Sequence, residues 1–302
     1  MTPSLLLLGG NGFIGQALAN KYAMLGYTVH SVSRRNIGVR MPGIHTYAAS
    51  LDDTVLLDRL IPQCELIIHT ASTCTPGSSA TLPSKEGVEN LLPLLKLIEA
   101  LSSHPPKQLI FLSSGGTVYG NPEGAHVNED APCIPISFHG AAKSAAELFL
   151  GAFANSGRPI TIVRPSNVYG PGQQGPGGFG LIRTILQNIK SNAPLEIWGS
   201  GDALRDYLFI DDLVEAILQI QHQGCTGIFN VGTGIGHSVL EVIARAESIT
   251  ERKLSLIQKP ERTSDVRGIM LDCSKLNKAT GWKPSIDLES GIRQTWQWMS
   301  QQ

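Results

Sequence analysis

The chain has 302 residues, of which 42% are hydrophobic and 16% are charged, and its formal net charge is −1. This length is enough for a substantial core in one large or two modest domains. The near-zero charge gives no excess of cations for nucleic-acid phosphates or an anionic membrane, so a small-molecule ligand is expected. The five cysteines lack zinc or disulfide spacing, which predicts no metal site and reduced thiols in a cytoplasmic protein.

The first half of the chain alternates short apolar runs with amphipathic stretches of helical length, as parallel sheets with crossover helices do. The opening run at residues 5–8 is too short for a signal sequence or a membrane span. Strands are predicted at 4–8, 28–33, 45–49, 66–70, 108–113 and 160–164, and helices at 13–25, 87–101 and 141–154. This order predicts an α/β fold with a doubly wound parallel sheet.

A glycine-rich segment, GGNGFIG, lies between the first predicted strand and the first predicted helix, with Gly9, Gly12 and Gly15 at the spacing GxxGxxG. These glycines permit a tight turn and let helix N-terminal amides approach a pyrophosphate. The motif predicts a dinucleotide cofactor; the alternative is a turn that only packs the helix on the strand. Further cofactor contacts are predicted for Phe13, Ile14, Ser50, Leu51, Thr70 and Ala71.

The end of the second predicted strand indicates which dinucleotide binds. NAD-binding proteins usually carry an acidic residue there for the adenosine ribose, whereas this chain has Ser33, Arg34 and Arg35. A serine does not repel a 2′-phosphate, and a guanidinium binds one through charge-assisted hydrogen bonds. The sequence therefore favours NADP over NAD, with a solvated arginine pair as the alternative.

After residue 164 the chain becomes rich in Gly and Pro, which marks a domain border or a binding loop. Helices are predicted near 181–190, 213–221 and 239–249, and a strand is predicted at 227–231. We predict a cofactor-binding Rossmann domain at 1–166, to which parts of 206–235 contribute. Residues 167–302 are predicted to form a smaller substrate-binding lobe.

Several segments resemble, in order, those of nucleotide-sugar 4-epimerases and 4,6-dehydratases of the extended short-chain dehydrogenase/reductase family. They are HTAS at 69–72, SSGGTVYG at 113–120, RPSNVYGPGQ at 164–173, RDYLFIDD at 205–212 and NVGTG at 230–234. The resemblance covers nearly the whole chain. It implies an NAD(P) cofactor, chemistry at C4 of a nucleotide-linked, UDP-type hexose, and a homodimer formed through two helices per subunit.

The family's YxxxK pair corresponds to FHGAAK, where Lys143 takes the lysine position and His139 takes the tyrosine position. In the family the tyrosine accepts the proton of a sugar hydroxyl, and the lysine lowers the pKa of that phenol and holds the nicotinamide ribose. An ammonium opposes an imidazolium instead, by as much as about 4 kcal/mol at ~4 Å and an effective dielectric of ~20. His139 is therefore expected to be neutral, with any positive charge relieved by a water or by phosphates.

A hydroxyl at the end of the fifth predicted strand completes the family's catalytic site. Many relatives carry Ser or Thr four residues before the tyrosine of VYG, but this chain has Gly115. By resemblance, Ser114 and Thr117 are the candidates for a hydrogen bond to the 4-oxygen of the sugar. The alternative for both hydroxyls is a hydrogen bond to loop amides.

The resemblance also implies residues that bind the nucleotide. Asn167 and Arg205 would contact the diphosphate, and Asp265, near Arg262, would meet the nucleoside ribose. Arginine suits this role because its planar fork binds phosphate through two hydrogen bonds. The alternatives are an ion pair with a neighbouring aspartate for Arg205 and a loop-capping amide for Asn167.

The sequence leaves three functions open. The first is an epimerase or dehydratase that oxidises C4 of the hexose through a transient keto intermediate. The second is an NADPH-dependent reductase of a 4-keto sugar, which Arg34 and Arg35 favour. The third is a nucleotide or nucleotide-sugar binding protein with little catalysis, which His139 at the tyrosine position favours.

Overall fold

Strands and helices alternate through the computed structural model, which describes residues 2–35, 41–74, 79–124, 126–174, 180–261 and 266–302. Its strands are β1 (Ser4–Leu8), β2 (Thr28–Ser33), β3 (Ile44–Ala48), β4 (Leu66–His69), β5 (Gln108–Leu112), β6 (His126–Val127), β7 (Ile160–Pro165), β8 (Asn167–Tyr169), β9 (Leu195–Trp198), β10 (Leu204–Phe209), β11 (Gly227–Val231), β12 (Gly236–Ser238), β13 (Leu256–Lys259) and β14 (Gly268–Leu271). Its helices are α1 (Phe13–Met24), α2 (Thr54–Leu60), α3 (Pro83–Glu86), α4 (Leu92–Ser103), α5 (Gly115–Val118), α6 (Phe138–Ala154), α7 (Leu181–Ser191), α8 (Ile210–His222), α9 (Val239–Thr250), α10 (Ser274–Thr280) and α11 (Leu288–Ser300).

A seven-stranded sheet has the order β11-β7-β5-β4-β1-β2-β3. Neighbouring strands from β3 to β7 pair in parallel. The chain adds β2 and β3 on one side of β1 and then β4, β5 and β7 on the other, so the strand order reverses between β1 and β4. This arrangement is a doubly wound Rossmann-type sheet, and the predicted fold class is confirmed.

The central strands are apolar along their whole length because the parallel sheet is covered on both faces. The four leucines of β1 from Leu5 to Leu8 have no solvent exposure, and Ile67 of β4 is equally buried. One face of these strands joins a core cluster that also contains Leu97 of α4 and Leu150 of α6. The cluster fixes both helices on the sheet.

The helices that carry the candidate site begin earlier than their hydrophobic patterns predict. The hydroxyl of Ser137 accepts a hydrogen bond from the Gly140 amide and caps α6, which therefore starts at Phe138 rather than at residue 141. Pro83 stands in the first turn of α3, and a π-helical segment at Gly87–Leu91 joins α3 to α4. The predicted helix at 87–101 thus lacked its first turn, which contains Glu86.

The chain divides into two compact units, each built from separate segments. The first comprises Met1–Ser114, Ser137–Arg164 and Ile217–Phe229, and the second comprises Gly115–Ile136, Pro165–Ala216 and Asn230–Gln302. The second unit contains a sheet of order β12-β10-β14-β6, with β8 beside β10, and a separate pair of β9 and β13. The functional boundary at residue 166 stays a prediction. Among the described helices, none combines the length and apolar character needed to cross a membrane.

Candidate active site

The glycine-rich turn after β1 is shaped by close backbone contacts. Gly9 has φ of +90°, and a Cβ there would lie 2.6 Å from the Ala71 amide nitrogen. A Cβ on Gly15 would overlap the carbonyl oxygen of Gly9. Gly12 caps α1 and has no side chain to bond the first helix amides, which leaves room for an anion there. This geometry fits a pyrophosphate.

A cavity of about 600 Å³ opens beside this turn, at the carboxyl ends of β1, β2 and β4. Open α/β sheets bind their ligands at this place, where the strand order reverses. Most of the predicted cofactor residues line the cavity: Gly9, Gly12, Ser33, Arg34, Arg35, Ser50, Leu51, Thr70 and Ala71. Phe13, Ile14 and Gly15 form the first turn of α1. The volume and the glycine cradle fit a dinucleotide.

The end of β2 combines a serine, two arginines and a nearby carboxylate. The Ser33 hydroxyl accepts a hydrogen bond from the Asn11 amide at 3.0 Å and donates one to a main-chain carbonyl. Arg34 and Arg35 line the cavity, and the Arg34 guanidinium lies 3.7 Å from the Glu89 carboxylate. Glu89 lines the same cavity, so both signs of charge are present where a ribose is expected.

His139 and Lys143 lie one turn apart on α6, and both are buried, with exposed fractions of 6% and 9%. The Lys143 ammonium donates a hydrogen bond to the Leu112 carbonyl oxygen at 2.8 Å and lies 4.9 Å from the centre of the Phe111 ring. Burial lowers the pKa of Lys143 to about 8, although the carboxylates of Glu86 and Glu147 act in the opposite direction.

A buried carboxylate meets the histidine. The Nδ1 atom of His139 lies 3.1 Å from Oε1 of Glu86, a residue that is only 3% exposed. Burial and Lys143 lower the pKa of His139, and Glu86 partly offsets both effects. The direction agrees with the neutral imidazole expected from the sequence. The counter-charge, however, comes from Glu86 rather than from a water or a phosphate, which the sequence reasoning did not foresee.

A second set of hydrogen bonds holds Glu86. The side-chain amide of Asn90 donates to Oε2 of Glu86 at 2.6 Å, and its oxygen accepts from the amide and hydroxyl of Thr73 at 2.8 and 3.2 Å. Glu86, Asn90, His69 and Lys143 also line a cavity of about 10 Å³, which has room for one water. Burial lowers the pKa of His69 to about 3, so that ring is neutral near pH 7.

Another buried ion pair fixes the rest of α6. The Glu147 carboxylate accepts hydrogen bonds from Nε of Arg164 at 3.1 Å and from its terminal nitrogen at 2.5 Å. The hydroxyl of Ser113 also donates to Glu147. These bonds tie the helix to the ends of β5 and β7, so the His139 side of α6 is held against the sheet.

The remaining predicted site residues lie as follows. Ser114 follows β5 in the first unit, and Thr117 is in α5 of the second unit. In the second unit, the Asn167 side chain donates to the Asp206 carbonyl oxygen at 2.9 Å, and Arg205 donates to the Leu204 carbonyl oxygen at 2.8 Å. Arg262 and Asp265 lie outside the described residues. The roles of all these residues stay predictions.

The sequence pattern of the NAD-dependent epimerase/dehydratase family matches residues 5–232. The chain belongs to this family. The implied family is thereby confirmed, and the protein is an enzyme of the epimerase/dehydratase class. The family is NAD-dependent, and the match does not distinguish NADP from NAD as the cofactor of this chain.

Two relatives cover nearly the whole of this epimerase/dehydratase. A putative UDP-glucose 4-epimerase of Methanocaldococcus jannaschii is 31% identical over 302 residues, with 98% of both chains covered. A dTDP-4-dehydro-6-deoxyglucose reductase of Escherichia coli is 30% identical and covers 95% of this chain and 94% of its own. Both a sugar epimerase and a keto-sugar reductase are thus similar to this family member.

Solved structures agree with the fold of this epimerase/dehydratase. The UDP-glucose 4-epimerase of Thermotoga maritima, solved with UDP-glucose, superposes with a TM-score of 0.94 at 31% identity and 99% coverage of both chains. The UDP-glucose 4-epimerase of Thermus thermophilus, solved with NAD, has a TM-score of 0.91 at 29% identity, with 98% of this chain and 99% of that chain covered.

Sequence reasoning missed Glu86 and Asn90 in this epimerase/dehydratase. Glu86 is 53 residues from His139 in sequence, so no helical or strand periodicity connects them. One local signal was available: Pro83 is typical of a first helical turn and would have extended the predicted helix to include Glu86. The contact with His139 itself required the fold.

Proposed function

We propose that the protein is an NAD(P)-dependent 4-epimerase of a UDP-linked hexose, with His139 as the proton-transfer group. The observation that carries this proposal is the buried pair of His139 and Lys143 on α6, in the unit that also contains the glycine cradle. The similar proteins named UDP-glucose 4-epimerase support the substrate class.

His139 performs the proton transfer in this mechanism. A bound dinucleotide would supply reversible hydride exchange with C4 of the sugar. As the C4 carbonyl forms, Nε2 of His139 takes the proton of the 4-hydroxyl, and it gives the proton back as the hydroxyl reforms. The two half-reactions cancel, so the sugar is epimerised without net oxidation. Ser114 or Thr117 donates a hydrogen bond to the 4-oxygen, and Lys143 holds the nicotinamide ribose.

We propose the nucleotide-binding residues by resemblance. Asn167 and Arg205 bind the diphosphate of the substrate, and Asp265, with Arg262 nearby, binds its ribose. Arg205 suits a diphosphate because a guanidinium offers paired donors in one plane. An Arg205→Ala variant should raise KM for the UDP-hexose far more than it lowers kcat, and a fall in kcat alone would contradict the assignment.

For the cofactor we propose NADP, with Arg34 and Arg35 binding the 2′-phosphate. The serine at the position where NAD proteins usually carry an acid supports this choice. NAD is the second candidate, favoured by the Glu89 carboxylate beside Arg34 and by the NAD in the Thermus thermophilus relative. Mass spectrometry of the nucleotide that copurifies with the protein distinguishes them. An Arg34→Ala, Arg35→Ala double variant should lose NADP selectivity, whereas an unchanged preference for NADP would contradict the role of the two arginines.

The second candidate function is reduction of a 4-keto sugar by NADPH. The Escherichia coli reductase, 30% identical over 95% of this chain, favours it. Reduction would use the same proton group in the opposite direction, with His139 giving its proton to the 4-oxygen. It consumes one NADPH for each sugar, which separates it from epimerisation.

We also propose a homodimer. Apolar side chains are exposed on two neighbouring helices: Leu92 at the start of α4, and Leu148 and Phe149 on α6. In this family dimers usually form through two helices per subunit, and α4 and α6 are the two helices that expose these side chains. Light scattering after size exclusion should give twice the 32.4 kDa subunit mass, and a Leu148→Glu, Phe149→Glu variant should give a monomer. A monomeric wild-type protein would contradict the proposal.

The location we propose is the cytoplasm. Cys64, Cys74, Cys225 and Cys273 are thiols outside any disulfide. Thiols of this kind are typical of proteins from reducing compartments. Fractionation of cells that produce the protein tests this, and recovery from an oxidising compartment would contradict it.

Product analysis tests the epimerase proposal directly. The purified protein is incubated with UDP-glucose or UDP-galactose, and the anomeric protons are followed by NMR while NADPH absorbance is recorded. We expect both sugars to reach the same mixture with no net change in absorbance. Stoichiometric loss of NADPH with a 4-keto sugar would support the reductase instead. Binding of the UDP-sugars without turnover would support a binding protein.

A further inference from the structure

The pair of Glu86 and His139 is enclosed by protein. Glu86 has an exposed fraction of 3% and His139 of 6%, and their facing atoms are 3.1 Å apart. A carboxylate this deeply buried is costly unless it is hydrogen-bonded and paired. Oε1 meets the histidine and Oε2 accepts the amide of Asn90 at 2.6 Å, so both oxygens have partners.

The carboxylate is also fixed in orientation. The oxygen of Asn90 accepts both the main-chain amide and the hydroxyl of Thr73, which forces its amide nitrogen toward Glu86. Thr73 follows β4 in the loop that lines the cofactor cavity. A chain of hydrogen bonds thus leads from the wall of that cavity to Nδ1 of His139.

An ionised carboxylate only accepts hydrogen bonds, so a neutral His139 beside it must carry its proton on Nδ1. The second ring nitrogen, Nε2, then has a lone pair and acts as the base. The opposite tautomer would set the Nδ1 lone pair against the carboxylate and leave Nε2 protonated, unable to accept a proton from a sugar hydroxyl. Orientation of histidine by a carboxylate is a recurrent device of proton-transferring sites.

We propose that Glu86 is the positioning residue for His139: it holds the ring proton on Nδ1 and thereby keeps Nε2 as the atom that exchanges a proton with the 4-oxygen of the sugar. This inference rests on the proposed function of His139. Glu86 also balances the imidazolium that forms during the keto intermediate. Without Glu86, the imidazolium would face the Lys143 ammonium with no carboxylate to offset the repulsion between the two positive charges.

The charged and titratable groups around His139 define what a pH profile reports. Lys143 and Glu147 are on α6, Glu86 is on α3, and His69 ends β4, with Arg164 of β7 paired to Glu147. Lys143 lowers the pKa of His139 and Glu86 raises it. Removing the charge of Glu86 should therefore move the acid limb of kcat to lower pH, because the base becomes neutral at lower pH, while the plateau falls.

The first experiment measures the tautomer in the wild-type protein. Histidine labelled with ¹⁵N is incorporated, and long-range ¹H–¹⁵N correlations are recorded, with the His139 signals assigned by their loss in His139→Gln. We expect the His139 proton on Nδ1. A proton on Nε2 would overturn the inference. Because this measurement needs no turnover, it tests the ring orientation expected beside Glu86 even if the protein epimerises no UDP-hexose.

The second experiment is kinetic and uses Glu86→Gln, which keeps the shape and removes the charge. We expect kcat to fall about 100-fold, within the range for loss of a working general base, with KM within about threefold of wild type. The matched control is Glu99→Gln, an exposed carboxylate of α4 that pairs with Lys96 and should keep full activity. Near wild-type kcat in Glu86→Gln, or an acid limb that does not move, would overturn the inference.

A double-mutant cycle separates positioning from general damage. If Glu86 acts through His139, Glu86→Gln should have little further effect on kcat in a His139→Gln background. Equal losses in both backgrounds would overturn the inference, because a structural defect acts whether or not the histidine is present. Circular dichroism of each variant shows whether the fold is kept.

Discussion

Lysine and glutamate are seldom fully buried unless they are paired, yet this protein buries Lys143 and Glu86 around one histidine. The arrangement reverses part of the electrostatics of a Tyr–Lys pair. An ammonium alone favours a phenolate and opposes an imidazolium, whereas the added carboxylate favours the imidazolium. His139 and Glu86 therefore belong together as a unit, and exchanging one alone disturbs the other.

His139→Tyr should lower kcat by at least about tenfold despite restoring the family's residue. The Glu86 carboxylate would raise the pKa of the new phenol and cancel the help of Lys143, and one pKa unit corresponds to a factor of ten. The double variant His139→Tyr, Glu86→Gln should be more active than His139→Tyr. Steady-state epimerisation assays of the three proteins check this, and a single variant faster than wild type would contradict it.

Burial of Lys143 makes the stability of the fold depend on pH, and its lowered pKa determines the direction of that dependence. Its pKa falls from 10.5 in the free side chain to about 8 in the fold, so between these values the unfolded chain binds more protons. The free energy of unfolding should therefore rise with pH in this window, by up to about 3 kcal/mol relative to Lys143→Met. Below pH 8 both states are protonated and the difference is constant. Urea unfolding of both proteins measures it, and parallel pH curves would contradict it.

At the residue scale the sequence placed His139 and Lys143 together because four-residue spacing puts side chains on one helix face. It could not place Glu86 beside them, since that contact depends on how α3 packs against α6. The neutral state of His139 was expected from Lys143 alone. Its tautomer follows only from the contact with Glu86.

At the element scale, an irregular stretch of helix before α4 positions two residues of the site. Pro93, the second residue of α4, lacks the amide hydrogen that a continuous helix needs, and the π-helical segment Gly87–Leu91 ends just before α4 begins. Glu86, just before this segment, and Asn90, within it, both reach the buried network. The hydrophobic pattern predicted one continuous α-helix at 87–101, because hydrophobic periodicity does not reveal a single π-helical turn.

Gly15→Ala tests the cradle as an element. The added Cβ would overlap the Gly9 carbonyl and lie 2.8 Å from the Gly10 Cα, so the turn must shift. We expect cofactor affinity to fall at least about tenfold, since misplaced amides no longer meet the pyrophosphate. The matched control is Gly151→Ala in α6, where a Cβ meets nothing within 4 Å and should stabilise the helix by about 0.5–1 kcal/mol. Calorimetric titration with the dinucleotide checks this, and equal affinities would contradict it.

Strands buried on both faces were predictable, and short strands were not. The predicted bounds of β1 and β2 agree with the structure, and β4, β5 and β7 differ by one residue at one end. The apolar run of β1 is continuous, as is typical of strands buried on both faces. The two residues of β6 carry no pattern. They form a strand only because Met270 and Leu271 of β14 lie beside them.

At the scale of the whole molecule, the chain returns to the first unit after entering the second. Residues 217–229 belong to the first unit, and β11, which begins within them, lies next to β7 in the large sheet. A sequence interpreted from end to end predicts contiguous domains, because composition changes mark borders but not returns. Parts of residues 206–235 were predicted to contribute to the cofactor domain, and that functional assignment stays a prediction.

The assignment of His139 as the proton-transfer group is tested most directly by comparing wild type with His139→Gln. UDP-glucose and UDP-galactose interconversion is measured by NMR across pH, and the affinity for the UDP-hexose is measured by calorimetry on the same samples. We predict that the variant binds the sugar nucleotide as wild type does but converts it at least about 100-fold more slowly. Equal rates in the two proteins would contradict the assignment.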